Sequence, residues 1–132
     1  MTRLLLDTHA YLWWEGDNPR LHGTARDAIA DPRNEVCVSV ARLWEIAIKA
    51  RLGKLEADVA ALLDGVAENG FTLLGVQPQH VLETTRLPLL HRDPFDRLLV
   101  ATASVEGLTL VSDDARLPAY GIAVLPCGGQ QP

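Results

Sequence analysis

At 132 residues, with 48% hydrophobic and 22% charged residues, the chain has the size and balance of one globular domain with a core of its own. No apolar stretch approaches the roughly 20 residues of a membrane-spanning helix, and Arg3 and Asp7 interrupt the N-terminus too early for a signal peptide. The net charge of −5 argues against a broad basic nucleic-acid footprint but permits a small one in which bound cations reverse the local field. Cys37 and Cys127 are the only cysteines, and His9, His22, His80 and His91 lack the spacing of zinc ligands. The expectation is a cytoplasmic protein with reduced thiols, no zinc and no membrane contact.

In chain order, residues 3–6 read as a buried strand, followed by a short helix through 10–14. Asn18-Pro19 gives a cap and a proline at the first helical position, which predicts a helix running to about residue 30. Residues 36–40 (Val-Cys-Val-Ser-Val) form a β-branched strand, and a long helix follows, ending near Gly53. A helix over 57–68 stops at Asn69-Gly70, and 71–76 is the third strand. Pro78 opens a helix that ends before Pro88. Asp93-Pro94 opens the most apolar helix, closed by Gly107. Residues 109–112 and 121–125 are the last strands. Strands separated by one or two helices require right-handed crossovers. The fold class expected is therefore α/β: a three-layer α/β/α sandwich around a mainly parallel sheet of four to five strands. It should occupy residues 1–127 as a single domain, with a flexible tail over 128–132.

Four carboxylates fall where such a sheet gathers ligands, at strand C-termini and the helix starts beside them. They are Asp7 after the first strand, Glu45 within the long helix, Asp96 at the start of the apolar helix and Asp114 after the fourth strand. Carboxylates brought together repel one another unless a hard cation neutralises them, and oxygen ligands suit Mg²⁺ or Mn²⁺. The pattern points to metal-dependent cleavage of a phosphodiester. Each acid also has a plain structural role open to it. Asp7 suits a helix cap, Glu45 a surface pair with Lys49, and Asp96 the positive end of a helix dipole. Asp113 and Asp114 suit loop caps.

Among the remaining conspicuous residues, Trp13, Trp14 and Trp44 read as core aromatics, with one of the first pair semi-exposed toward a partner. Thr8 and Ser39 offer hydroxyls near a metal, or ordinary caps. Arg97 steadies a carboxylate or the scissile phosphate, while His91 and Arg92 either touch phosphate or lie in a solvated loop. Arg42, Lys49, Arg51 and Lys54 read as a solvated helix face, or one that contacts RNA. A haloacid-dehalogenase phosphatase is disfavoured, because His9 stands where that chemistry wants a second aspartate. A phosphoacceptor receiver is disfavoured for want of its paired acids and late lysine.

Leu-Leu-Leu-Asp-Thr-His at 4–9, Leu-Trp-Glu-Ile-Ala-Ile-Lys at 43–49, His-Arg-Asp-Pro-Phe-Asp-Arg-Leu-Leu-Val-Ala-Thr-Ala at 91–103 and Leu-Val-Ser-Asp-Asp at 110–114 resemble the PIN-domain family. More narrowly, they resemble the VapC-type ribonuclease toxins of type II toxin–antitoxin pairs. The resemblance spans nearly the whole chain in the family's order. It implies an endoribonuclease that uses Mg²⁺ or Mn²⁺, a homodimer, an RNA substrate and a cognate antitoxin that inhibits the site. The apolar helices near Trp13 or Trp14 are, from the residues themselves, the expected place for that antitoxin to dock. By position, the family's four acids fall on Asp7, Glu45, Asp96 and Asp114, as catalytic and metal-binding residues. At the fourth site Ser112 replaces the usual threonine, so Asp113 stays open beside Asp114. Ser39 matches a small hydroxyl residue found before the second acid. The alternative is a non-catalytic protein-binding module on the same scaffold.

Overall fold

The computed structural model describes residues 1–90 and 92–128, so His91 and most of the expected tail lie outside the described residues. Strand β1 (Arg3–Leu6) is the centre of a five-stranded sheet. It pairs in parallel with β2 (Glu35–Ser39) on one side and β4 (Thr109–Val111) on the other. Beyond them lie β3 (Thr72–Leu74) and β5 (Val124–Leu125), also parallel, giving the order β3-β2-β1-β4-β5.

The unbroken Leu4-Leu5-Leu6 follows from this central place. Successive side chains of a strand face opposite ways, so a strand covered on both faces is apolar at every position. Leu4 and Leu6 enter one core with Val36, Val38 and Val111, while Leu5 enters a second with Cys37 and Leu110. The first core is covered by α1 (Thr8–Glu15), α2 (Gly23–Ala30), α3 (Val40–Arg51) and α4 (Val59–Glu68). The second is covered by α6 (Pro94–Glu106) and a 3-10 turn at Leu117–Tyr120, with α5 (Pro78–Thr84) packed on α6. This is the expected three-layer sandwich, with a sheet that is wholly parallel.

The local signals mostly hold. Asp93 caps α6 by accepting the backbone N–H groups of Phe95 and Asp96, with Pro94 in the first turn. Gly107 ends that helix at φ 68°, a left-handed conformation that favours glycine. Asn18-Pro19, by contrast, does not start a helix. The Asn18 side chain accepts from Arg20 N and its carbonyl accepts from Leu21 N, closing a turn, and α2 begins only at Gly23. His22 N donates to the Cys127 carbonyl, which fixes this loop to the end of the described chain. Val40 is the first residue of α3 rather than the last of β2, because the Ser39 hydroxyl caps the helix there.

Both thiols are free and fully buried. Burial pushes Cys37 up to about 11 and Cys127 up to about 12. Iodoacetamide at pH 8 is therefore expected to leave both unmodified in the folded protein and to modify both in denaturant, read by mass spectrometry. Rapid alkylation of the native protein would contradict their burial. Among the described residues, no helix is long and apolar enough to cross a membrane.

Candidate active site

The strand register builds the floor of the site. Leu6 lies opposite Val38 on one side and Val111 on the other, so the chain leaves β1, β2 and β4 at one edge. There it places Asp7, Ser39 and Ser112. A cleft of about 480 Å³ opens at this edge, and Asp7, Glu45, Asp96 and Asp114 all line it. Four separate segments of the chain each contribute one of these carboxylates.

Asp7 follows β1 and caps α1, its Oδ1 accepting from Ala10 N at 2.8 Å. Burial raises its carboxyl above the ordinary value. The Ser112 hydroxyl, the Ala10 N–H and the charges of Arg42 and His9 pull the other way without prevailing.

Glu45 sits on the inner face of α3, only 5% exposed. Its Oε1 accepts from the Thr8 hydroxyl at 3.0 Å and from Arg42 Nη1 at 2.6 Å, and its Oε2 meets Lys49 Nζ at 3.1 Å. Burial opposes the charge of Glu45. Arg42, Lys49 and Thr8 together overcome that cost and hold its carboxyl below the ordinary value.

Asp96, in the first turn of α6, accepts from Nη2 of the same Arg42, so one guanidinium bridges α3 and α6. The solvated face expected from Arg42, Lys49, Arg51 and Lys54 is thus partly wrong: Arg42 is buried together with Glu45, whereas Lys49, Arg51 and Lys54 do reach solvent. Spacing of three and four residues placed Arg42, Glu45 and Lys49 on one face correctly. What the periodicity lacked was any sign that a carboxylate 51 positions beyond Glu45 would close over that face.

The two adjacent acids after β4 take different partners. Asp113 Oδ1 accepts from Cys127 N at 2.7 Å and so anchors the end of the described chain. Asp114 accepts from Arg116 through both carboxylate oxygens and from Arg116 N, beside the 3-10 turn. Both line the cleft, and each accepts one backbone N–H, Asp113 from Cys127 and Asp114 from Arg116.

Two of the supporting residues have structural duties elsewhere. Arg97 does not line the cleft; its guanidinium donates to the carbonyls of Thr84, Leu87 and Pro88 and ties the loop after α5 to α6. Ser39 is buried as the cap of α3 and does not line the cleft either. Trp44, expected in the core, is 62% exposed and meets Phe95 edge to face at 5.6 Å. Sequence reasoning passed over Trp13 and His9 as parts of the cleft wall, where their rings pair at 5.6 Å, and Arg116, which lines it together with Lys54 of the face expected to be solvated or to contact RNA.

The donors suit a divalent ion by chemistry, since they are hard carboxylate oxygens of the kind Mg²⁺ and Mn²⁺ prefer. Among the described residues, no three His, Cys, Asp or Glu side chains form a group ready to hold a metal. Arginine arms stand among them instead, Arg42 between Glu45 and Asp96 and Arg116 on Asp114. Positive charge is already required where the carboxylates converge, and here the chain supplies it.

A parallel α/β/α sandwich with an acidic cleft at the strand C-termini defines the class, and the PIN domain family matches residues 4–123. The chain is 33% identical to Ribonuclease VapC22 of Mycobacterium tuberculosis (strain ATCC 25618 / H37Rv) over 123 residues, covering 91% of this chain and 93% of that protein. The fold is shared with a chain of VapBC2 from Rickettsia felis, solved bound to a DNA fragment from their promoter (TM-score 0.74, 15% identity, 95% of this chain and 98% of that one). It is shared too with a chain of a toxin–antitoxin complex from Klebsiella pneumoniae (TM-score 0.64, 16% identity, 96% and 99%). The chain belongs to the PIN-domain family.

Proposed function

We propose that this chain is the ribonuclease toxin of a toxin–antitoxin pair and that it hydrolyses RNA in the cytoplasm with Mg²⁺ or Mn²⁺ held by Asp7, Glu45, Asp96 and Asp114. The observation that carries this reading is that carboxylates from four separate segments line one cleft at the C-terminal edge of a parallel sheet. The VapC22 relationship supports ribonuclease as the activity. The toxin–antitoxin complexes among its structural relatives support a cognate antitoxin as partner, and family membership supports a homodimer.

A divalent ion in such a site lowers the pKa of water and offsets charge developing on a phosphoryl group. The protein's own part is to hold and orient. Asp7 is fixed by the α1 cap and by the Ser112 hydroxyl, so its carboxylate has a defined place in the cleft. Thr8 and Lys49 brace Glu45 from opposite sides. Lys49, Lys54 and Arg116 at the cleft wall supply positive charge for the RNA backbone, in a protein whose net charge is −5. Hydrolysis by metal-activated water needs no side-chain nucleophile.

The test is incubation of the purified chain with a mixed RNA pool in Mg²⁺, in Mn²⁺ and in EDTA, with products resolved on a sequencing gel. Cutting in either metal and none in EDTA is expected. Cutting that persists undiminished in EDTA would overturn the metal assignment. No cutting, together with no metal uptake by calorimetry, would make the chain a protein-binding module on the PIN scaffold.

A further inference from the structure

Arg42 lines the cleft between two of the four acids, and its pairing with them leaves part of its guanidinium unaccounted for. It lies on α3 one turn before Glu45, only 5% exposed, in a place where an arginine has left water almost completely. Its Nη1 is on Glu45 and its Nη2 on Asp96, while its Nε is buried without a hydrogen-bond partner among the described residues. Burying a guanidinium with an unsatisfied N–H is costly, and buried polar groups normally find partners. A missing partner at a cleft wall is the mark of a ligand position.

The two ends of the bridge are unequal. Glu45 is held on the same helix at one turn's spacing. Asp96 comes from a different helix and its side chain is more exposed, at 19% against 6% for Glu45. An incoming cation would therefore take Asp96 from Arg42 more readily than it would take Glu45. Loss of Asp96 would leave Nη2 free next to the already free Nε. Those two N–H groups form one edge of the guanidinium, the fork that matches two oxygens of a phosphate.

We propose that Arg42 stands in for the divalent ion at Asp96 and, once displaced by that ion, presents its Nε–Nη2 edge to a phosphate of the substrate. Loading of the ion and binding of phosphate are then coupled through a single side chain. By linkage, each strengthens the other. The inference rests on the divalent-ion reading above, and its test separates the two.

The experiment titrates Mn²⁺ into wild type, Arg42→Ala and Arg42→Lys, with free Mn²⁺ read by electron paramagnetic resonance. Inorganic phosphate is then titrated into each protein at saturating Mn²⁺. Arg42→Ala is expected to bind Mn²⁺ about tenfold more tightly, because a competing cation close to the ligands has gone. It is also expected to bind phosphate at least about tenfold more weakly, on the scale of a charge-assisted fork. Arg42→Lys keeps the charge but not the fork, so it should hold Mn²⁺ near wild-type affinity and still lose phosphate. Unchanged or weaker Mn²⁺ binding by the alanine variant, or unchanged phosphate binding, overturns the proposal.

Should the variants unfold, wild-type protein carrying ¹⁵N-arginine answers the same question. The Arg42 Nε signal should move on adding Mg²⁺ and again on adding phosphate, and an Arg42 signal indifferent to Mg²⁺ uptake overturns the proposal. Ion uptake without any response at Arg42 removes this inference alone and leaves the divalent-ion reading standing. No ion uptake by wild type removes both.

Discussion

Asp7→Asn and Asp96→Asn are each expected to slow RNA cleavage by at least about a hundredfold to a thousandfold, the scale of losing one preorganised electrostatic contact. The fold should survive both. For Asp7 the reason is on view: its Oδ1 accepts the Ala10 N–H, and an asparagine carbonyl caps a helix about as well. Burial pushes the Asp7 carboxyl up, so its charge works against the folded state in the absence of metal. In EDTA, Asp7→Asn should therefore melt at or above the wild-type temperature. In excess Mg²⁺ the order reverses, because only wild type gains binding energy, about 2.7 kcal/mol at a hundred times the dissociation constant. Single-turnover cleavage and thermal melts with and without Mg²⁺ check both halves. An Asp7→Asn protein that cuts RNA at the wild-type rate removes Asp7 from the site.

The sheet was legible because its signals are redundant. Leu4-Leu5-Leu6 and Val36-Cys37-Val38 are apolar at every position, which only a strand covered on both faces requires, and helical segments between them force parallel pairing. Asp93-Pro94 and Gly107 marked the ends of α6 by chemistry local to each end. Asn18-Pro19 misled because the same residues suit a turn, and the choice was made far away, where the Cys127 carbonyl accepts His22 N. The 3-10 turn at Leu117–Tyr120 went unread, since four residues around a proline carry no periodicity.

The cleft was legible to the level of which segments meet there, and not to the level of who holds whom. Asp7, Glu45, Asp96 and Asp114 follow from strand ends and helix starts, which topology brings to one edge. Arg42, Glu45 and Lys49 look in sequence like a solvated stripe with the spacing of helical ion pairs. Whether such a stripe is buried depends on what packs over it, here α1 through Thr8 and α6 through Asp96. The same limit applies to Asp113 and Asp114. Adjacent in sequence, they are told apart only by Cys127 N, which takes the first, and Arg116, which takes the second. Trp44 erred in the opposite sense, an aromatic on a helix that no other element covers fully.

Glu45→Gln should behave in the opposite way to Asp7→Asn, costing about 3 kcal/mol of stability in EDTA, the lower end of the range for removing one partner of a buried ion pair. The lower end applies because Arg42 keeps Asp96. Glutamine fills the same space and its carbonyl still accepts from Thr8 or Arg42, but the amide nitrogen then meets a donor on one side. Lys49, half-exposed, can turn to water, whereas Arg42 cannot. Because Arg42, Lys49 and Thr8 hold the Glu45 carboxyl below its ordinary value of 4.5, its charge stabilises the folded state above that pH. That contribution fades as pH falls through the lower folded value, so wild type should lose its margin over Glu45→Gln in acid. Glu35→Gln is the control: its partner Arg3 and Glu35 itself are each about a third exposed or more, and its loss should stay below about 1 kcal/mol. Urea midpoints of the three proteins in EDTA decide the matter. Equal small losses for the two variants would mean that water screens the Arg42–Glu45 pair. A large loss for Glu45 alone, beside a gain for Asp7→Asn, would show that the two carboxylates act on the fold in opposite senses, one a charge tolerated for a ligand and one a charge the protein needs to stand.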